Sequence, residues 1–141
     1  MSRQKMAIRK PVLRSTEAQL YVADVTASCA FFTSKLGFEI AFVYGEPPFY
    51  GQVARDDARL NLRMVSEPVF AGDVREREGL LSATITIGSA REIEQLFVDF
   101  ESTDVSFQQR LKNEPWGATT FVVADPDGNL ILFAAPADAH D

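Results

Sequence analysis

Twice along the chain the residue pattern reads strand, helix and then three strands, and this repeat constrains the fold more than any other feature. In the first pass, residues 18–24 (AQLYVAD) alternate and are rich in strand formers. Val25, Cys29, Phe32 and Leu36 then recur at spacings of four, three and four, which is one face of a short helix. Gly37 stands where a C-terminal cap belongs. Residues 38–44, 50–55 and 59–65 read as strands, with a Gly-Glu-Pro-Pro loop after the first and an Asp56-Asp57-Ala58 tip before the last. In the second pass, residues 81–87 form a β-branched strand, and Ser89 to Glu92 is a capping box for a helix. Ile93, Leu96, Phe97 and Phe100 are the buried stripe of that helix. Residues 107–111, 119–124 and 130–135 complete the set of strands.

The two passes align in detail. Val53-Ala54-Arg55-Asp56 leads to Leu60-Asn61-Leu62, while Val122-Val123-Ala124-Asp125 leads to Leu130-Ile131-Leu132 with one extra residue. The expected architecture is therefore α+β, with two tandem βαβββ modules whose curved sheets enclose a cleft, a natural place for a ligand. The boundaries implied are a basic arm over residues 1–16, modules over 17–66 and 80–136, a polar linker over 67–79, and a tail over 137–141. In Asp125-Pro126-Asp127-Gly128-Asn129, Pro126 presets φ and Gly128 supplies positive φ, so the acidic residues read as turn formers rather than catalysts.

Composition narrows the function classes. A chain of 141 residues with 46% apolar and 24% charged residues fits one globular domain or two half-domains sharing a core. No apolar run reaches the roughly 18–20 residues of a membrane span, and the charged N-terminus makes a poor secretory signal. Cys29 is the single cysteine, so no intrachain disulfide framework is possible and a reducing, cytoplasmic setting is expected. Residues 1–14 hold five basic and no acidic side chains; against a net charge of −6, the rest of the chain sums to −11. That acidic body disfavours nucleic acid as a partner and favours cationic ligands.

Three stretches carry a family resemblance. They are Val22-Ala23-Asp24-Val25, the helix end Phe31-Phe32-Thr33-Ser34-Lys35-Leu36-Gly37-Phe38, and the Asp125-to-Asn129 turn. In this order and spacing, across residues 18–136, the chain resembles the vicinal oxygen chelate superfamily of lactoylglutathione lyases, extradiol dioxygenases, fosfomycin-resistance enzymes and bleomycin-resistance proteins. Within it, Tyr50-Gly51-Gln52-Val53-Ala54-Arg55-Asp56-Asp57 and Glu114-Pro115-Trp116-Gly117 are similar to stretches of the bleomycin-resistance proteins. That resemblance implies a homodimer binding a cationic glycopeptide in clefts lined by aromatic side chains, with no catalytic chemistry. Trp116 would match the groove tryptophan, Phe42 and Tyr50 would match two groove phenylalanines, and Phe49 and Asn61 would add contacts from neighbouring strands. One departure is that the arginine common between Pro-Trp-Gly and the Asp-Pro turn is absent from residues 118–124.

The superfamily's enzymes hold a divalent metal in the cleft, and the resemblance maps its ligand positions to Glu17, Asn61, Ser82 and Leu132. Leu132 cannot ligate, Asn61 and Ser82 are weak neutral donors, and Glu17 alone is an ordinary ligand. The sole histidine, His140, stands next to the C-terminus, which leaves Cys29, Ser82, Ser89 and Ser106 without a base nearby in sequence. The expectation is a binding protein for a small organic ligand, with no metal, cofactor or catalytic residues. The alternatives are a lyase, isomerase or dioxygenase with an altered metal site, in which Glu17 could serve as a lone base, and a scaffold whose own side chains close the cleft.

Overall fold

The computed structural model describes residues 10–68 and 73–137. Residues 1–9 of the basic arm, 69–72 of the linker and the tail segment 138–141 with His140 lie outside the described residues.

The first strand, β1 (Ala18–Val22), stops two residues short of the pattern that announced it. Asp24 is taken by the next element: its carboxylate accepts from Ala27 N at 3.0 Å and caps α1 (Val25–Lys35). Gly37 follows that helix at φ +74°, and Phe38 N donates to Phe32 O at 3.0 Å. A Cβ on Gly37 would also sit 3.0 Å from the Arg55 guanidinium, which itself donates to Leu36 O at 2.8 Å. Glycine is thus required here both by backbone conformation and by the arginine that seals the helix end.

Three strands complete the module: β2 (Glu39–Gly45), β3 (Pro48–Arg55) and β4 (Ala58–Met64). The β3–β4 turn is tighter than the residue pattern implied, because Arg55 pairs directly with Ala58 around Asp56 at φ 51°. Within the polar linker a single helical turn forms, α2 (Val74–Glu78), closed by Gly79 at φ +64°. Five mostly charged residues carry no apolar periodicity, so nothing in the sequence marked it.

The second module repeats the plan with β5 (Leu81–Thr86), α3 (Ala90–Ser102), β6 (Ser106–Asn113), β7 (Thr119–Ala124) and β8 (Leu130–Ala135). Ser89 caps α3, its Oγ accepting from Glu92 N at 3.2 Å. The Glu92 carboxylate reaches back to the Ser89 hydroxyl at 3.0 Å, rather than to a backbone amide as in the full capping box. The sheets have matching strand orders, β1-β4-β3-β2 and β5-β8-β7-β6, with β1 parallel to β4 and β5 parallel to β8.

One core runs through both modules. Leu20, Phe32, Leu62, Ile93, Phe121 and Ile131 are completely buried, and Phe121 stacks on Phe133 at 5.0 Å with Phe100 edge-on to Phe133 at 5.3 Å. Each such side chain contributes about 1.5–3 kcal/mol by leaving water. Polar ties then lock the modules together. Lys35 Nζ donates to Thr103 O at 2.8 Å, and Thr103 Oγ1 returns to Lys35 O at 2.9 Å. At the other tie, Asp127 of the β7–β8 turn accepts from Ala23 N at 2.9 Å, and Asn129 Nδ2 donates to Tyr21 O at 3.1 Å.

Candidate functional site

Each strand of the first sheet spends alternate residues on the core, and the remaining set forms the opposite, open face. Leu20, Gly51, Val53, Leu60 and Leu62 are buried on the α1 side. The open face follows from the register. Phe42 pairs with Gln52, Gln52 with Asn61, and Asn61 with Gln19; in the next row, Tyr44 pairs with Tyr50, Tyr50 with Arg63, and Arg63 with Tyr21. Side chains confirm this arrangement: the Phe42 ring lies 5.5 Å from Tyr44 and 5.9 Å from Tyr50. Beside these rings, Gln52 Nε2 donates to Asn61 Oδ1 at 2.8 Å and Arg59 Nη1 donates to Gln52 Oε1 at 3.4 Å. The result is an aromatic wall next to a short amide network, suited to a flat organic group.

Three of the five residues singled out from the sequence, Phe42, Tyr50 and Asn61, therefore share one surface. Phe49 does not, because alternation turns it to the other side, where its ring covers Gly45 in place of a Cβ. Trp116 belongs to the second module, on the turn between β6 and β7. There Glu114 N donates to Ala118 O at 2.7 Å, Gly117 N donates to Glu114 O at 2.9 Å, and Gly117 takes φ +99°. The Glu114 carboxylate anchors this turn by accepting from Thr120 Oγ1 at 3.0 Å and pairing with Lys112 Nζ at 3.4 Å. Trp116 itself is 71% exposed, with no ring partner among the described residues. Gln19, Tyr21, Tyr44, Gln52, Arg59 and Arg63 share the open face and were not singled out from the sequence. Counting by twos from Phe42, Tyr50 and Asn61 would have found Tyr44, Gln52, Arg59 and Arg63; Gln19 and Tyr21 needed the strand register.

The open face does not supply a divalent metal site. Gln19, not Glu17, lies across from Asn61, and Glu17 accepts from Ser15 Oγ at 2.6 Å ahead of β1. Ser82 Oγ is committed to Asn129 Oδ1 at 3.2 Å, and Leu132 stands opposite Thr84 and Val122. Among the described residues, no three of His, Cys, Asp and Glu converge. The four mapped positions offer one carboxylate, one amide, one hydroxyl and an alkyl group that cannot ligate, a set that does not fit such an ion.

Two other reactive groups, Cys29 and Asp125, are buried. Cys29 is 3% exposed, and burial pushes its thiol pKa up, away from the nucleophilic thiolate. Asp125 is buried, and desolvation raises its pKa even though its carboxylate accepts from Asp127 N, Asn129 N and Asn129 Nδ2. A groove of about 430 Å³ opens between the β3–β4 turn and α3, but its floor of Phe38, Phe100 and Phe133 is already sealed by packing.

The family model described as Glyoxalase/Bleomycin resistance protein/Dioxygenase superfamily matches residues 14–133. The chain belongs to this superfamily. No curated protein matches it in sequence. Solved superfamily structures share the fold at low identity. A glyoxalase/bleomycin resistance protein/dioxygenase from Alicyclobacillus acidocaldarius is 18% identical, covering 90% of this chain and 94% of its own, with a TM-score of 0.73. The bleomycin-binding protein of Streptomyces verticillus, complexed with copper(II)-bleomycin, is 22% identical over 92% of this chain and 99% of its own, at 0.66. A lactoylglutathione lyase from Agrobacterium tumefaciens is 19% identical over 89% and 96%, at 0.67. At these identities the likeness establishes the superfamily fold, two four-stranded curved sheets each backed by a helix. The specific function has to come from the side chains.

Proposed function

We propose that this chain is a metal-independent binding protein that holds a small organic ligand against the open face of its first sheet. The observation carrying this reading is the cluster of Phe42, Tyr44 and Tyr50 beside the Gln52–Asn61 pair, on a surface whose strand positions lack a metal-ligand set. Stacking of a flat group on such rings contributes about 0.5–1.5 kcal/mol per contact beyond area burial, so several rings yield useful affinity. A homodimer fits the same reading: a second copy can bring its exposed Trp116 turn to the aromatic wall, closing a cleft that one chain leaves open. Sequestration of an antibiotic is the finer form of the proposal, and bleomycin is the first ligand to try because the Streptomyces neighbour binds it.

Fluorescence tests the proposal directly, since Trp116 is the only tryptophan. If the ligand is bleomycin, adding it at micromolar concentration should quench or shift the Trp116 emission, and Tyr50→Ala should weaken the response. No change would remove that antibiotic as the ligand; unaltered binding of an identified ligand by both Trp116→Ala and Tyr50→Ala would remove the site. About one Fe, Mn, Ni or Zn per purified chain, lost together with an activity on chelation, would instead establish the lyase, isomerase or dioxygenase alternative.

A further inference from the structure

Resting on the proposal that the open face of the first sheet binds a ligand, but not on its finer form of a cationic antibiotic, we infer that this face selects planar organic anions, although the chain as a whole is acidic. The registers place Arg59 and Arg63 on the same side as Phe42, Tyr44, Tyr50 and Asn61. As alternate members of one strand they stand about 13 Å apart and flank the Asn61 row. Neither guanidinium has a carboxylate partner among the described residues. Two acids border this face: Glu17, just ahead of Ala18 and accepting from Ser15 Oγ, and Glu39, at the outer edge across Ala54 from Arg59.

The hydrogen-bond polarity agrees with the charge. Asn61 Oδ1 accepts from Gln52, and Gln52 Oε1 accepts from Arg59, so both amide oxygens are engaged within the network. The donors it leaves are the Asn61 amide N–H groups and the remaining guanidinium N–H groups of Arg59 and Arg63. Such a surface complements a carboxylate, sulfonate or phenolate attached to a flat ring, with the ring on the aromatic wall and the anion at a guanidinium fork. A cationic ligand would meet two like charges on the side that carries the rings. The net −6 does not reverse this, because exposed charges beyond roughly 10 Å are screened at ordinary ionic strength.

Three probes with one ring system isolate the charge: 2-naphthoate, 2-naphthylmethanol and 2-naphthylmethylammonium, titrated into ¹⁵N-labelled full-length protein. Amide and arginine Nε shifts report both affinity and location. The carboxylate should bind roughly two- to fivefold more tightly than the alcohol, the ammonium more weakly, and added salt should narrow the spread. The double variant Arg59→Gln/Arg63→Gln, altered at exposed positions, should keep a folded amide spectrum while bringing the carboxylate-to-alcohol ratio near one. If the ammonium shifts the Phe42, Tyr50 and Asn61 amides at least as tightly as the carboxylate, the anion inference fails and the binding face stands. The inference also fails if the carboxylate preference survives the double variant, or is read out at other residues. If none of the three perturbs the open-face amides, the proposed site itself falls, and this inference with it.

Discussion

At the scale of single residues, Asp125 shows how local sequence and tertiary position give one side chain two roles. Its carboxylate organises its own turn by accepting from Asp127 N at 2.9 Å and Asn129 N at 2.7 Å. The turn is also pressed into the module boundary, and the resulting desolvation raises the carboxyl pKa in spite of those bonds. The sign of the pH dependence follows. A folded-state pKa above the unfolded value contributes stability that is fully present below about pH 4 and is lost as pH rises through the folded value. Asp125→Asn does not titrate, so the amount by which the wild type's melting temperature exceeds the variant's should shrink from pH 4 to pH 7. A gap that widens instead would mean that the three N–H donors outweigh burial.

At the scale of elements, α1 and α3 were legible because their caps and apolar stripes are local. Gly37 and Ser89 stand at helix ends, and Ile93, Leu96, Phe97 and Phe100 are the buried face of α3. Removing the cap at Ser89 leaves the Glu92 N–H without its side-chain acceptor. Ser89→Ala should therefore cost about 1 kcal/mol, seen as a lower urea midpoint with an unchanged slope. Strand limits were less legible. Asp24 belongs to the pattern of β1 but is used by α1, and Pro48 reads as loop but joins β3. α2 was missed because a single charged turn has no periodicity to detect.

At the scale of the whole molecule, the two modules cohere through a continuous apolar core and a few polar ties. Asn129 is the most connected of these: it is 2% exposed, donates to Tyr21 O and Asp125, and accepts from Arg75 and Ser82. Asn129→Ala would orphan several of these groups at once and should cost about 2–4 kcal/mol in denaturant melts. A loss below 0.5 kcal/mol would show that the core alone holds the modules. Assembly is the second prediction at this scale. Trp116 at 71%, Tyr44 at 62% and Phe49 at 56% exposure are large rings left in water by a single chain. Sedimentation at high micromolar concentration should give about twice the 15.6 kDa chain mass, and a monomer mass would overturn the dimer.

The sequence by itself determined the βαβββ repeat, the helix faces and the Asp125–Asn129 turn, because each is set by neighbours a few residues apart. Its family resemblance also implied poor ligands at three of the four metal positions, with Leu132 the plainest case. Only the tertiary structure decided which candidate residues share a surface. Phe42, Tyr50 and Asn61 come together because β2, β3 and β4 pair in one register, while Phe49, next in sequence to Tyr50, turns to the opposite face. The same register gathers Arg59 and Arg63 beside the rings, giving an acidic chain a locally cationic wall. Pairing across strands joins residues far apart in sequence, and neither spacing along the chain nor net charge carries that information.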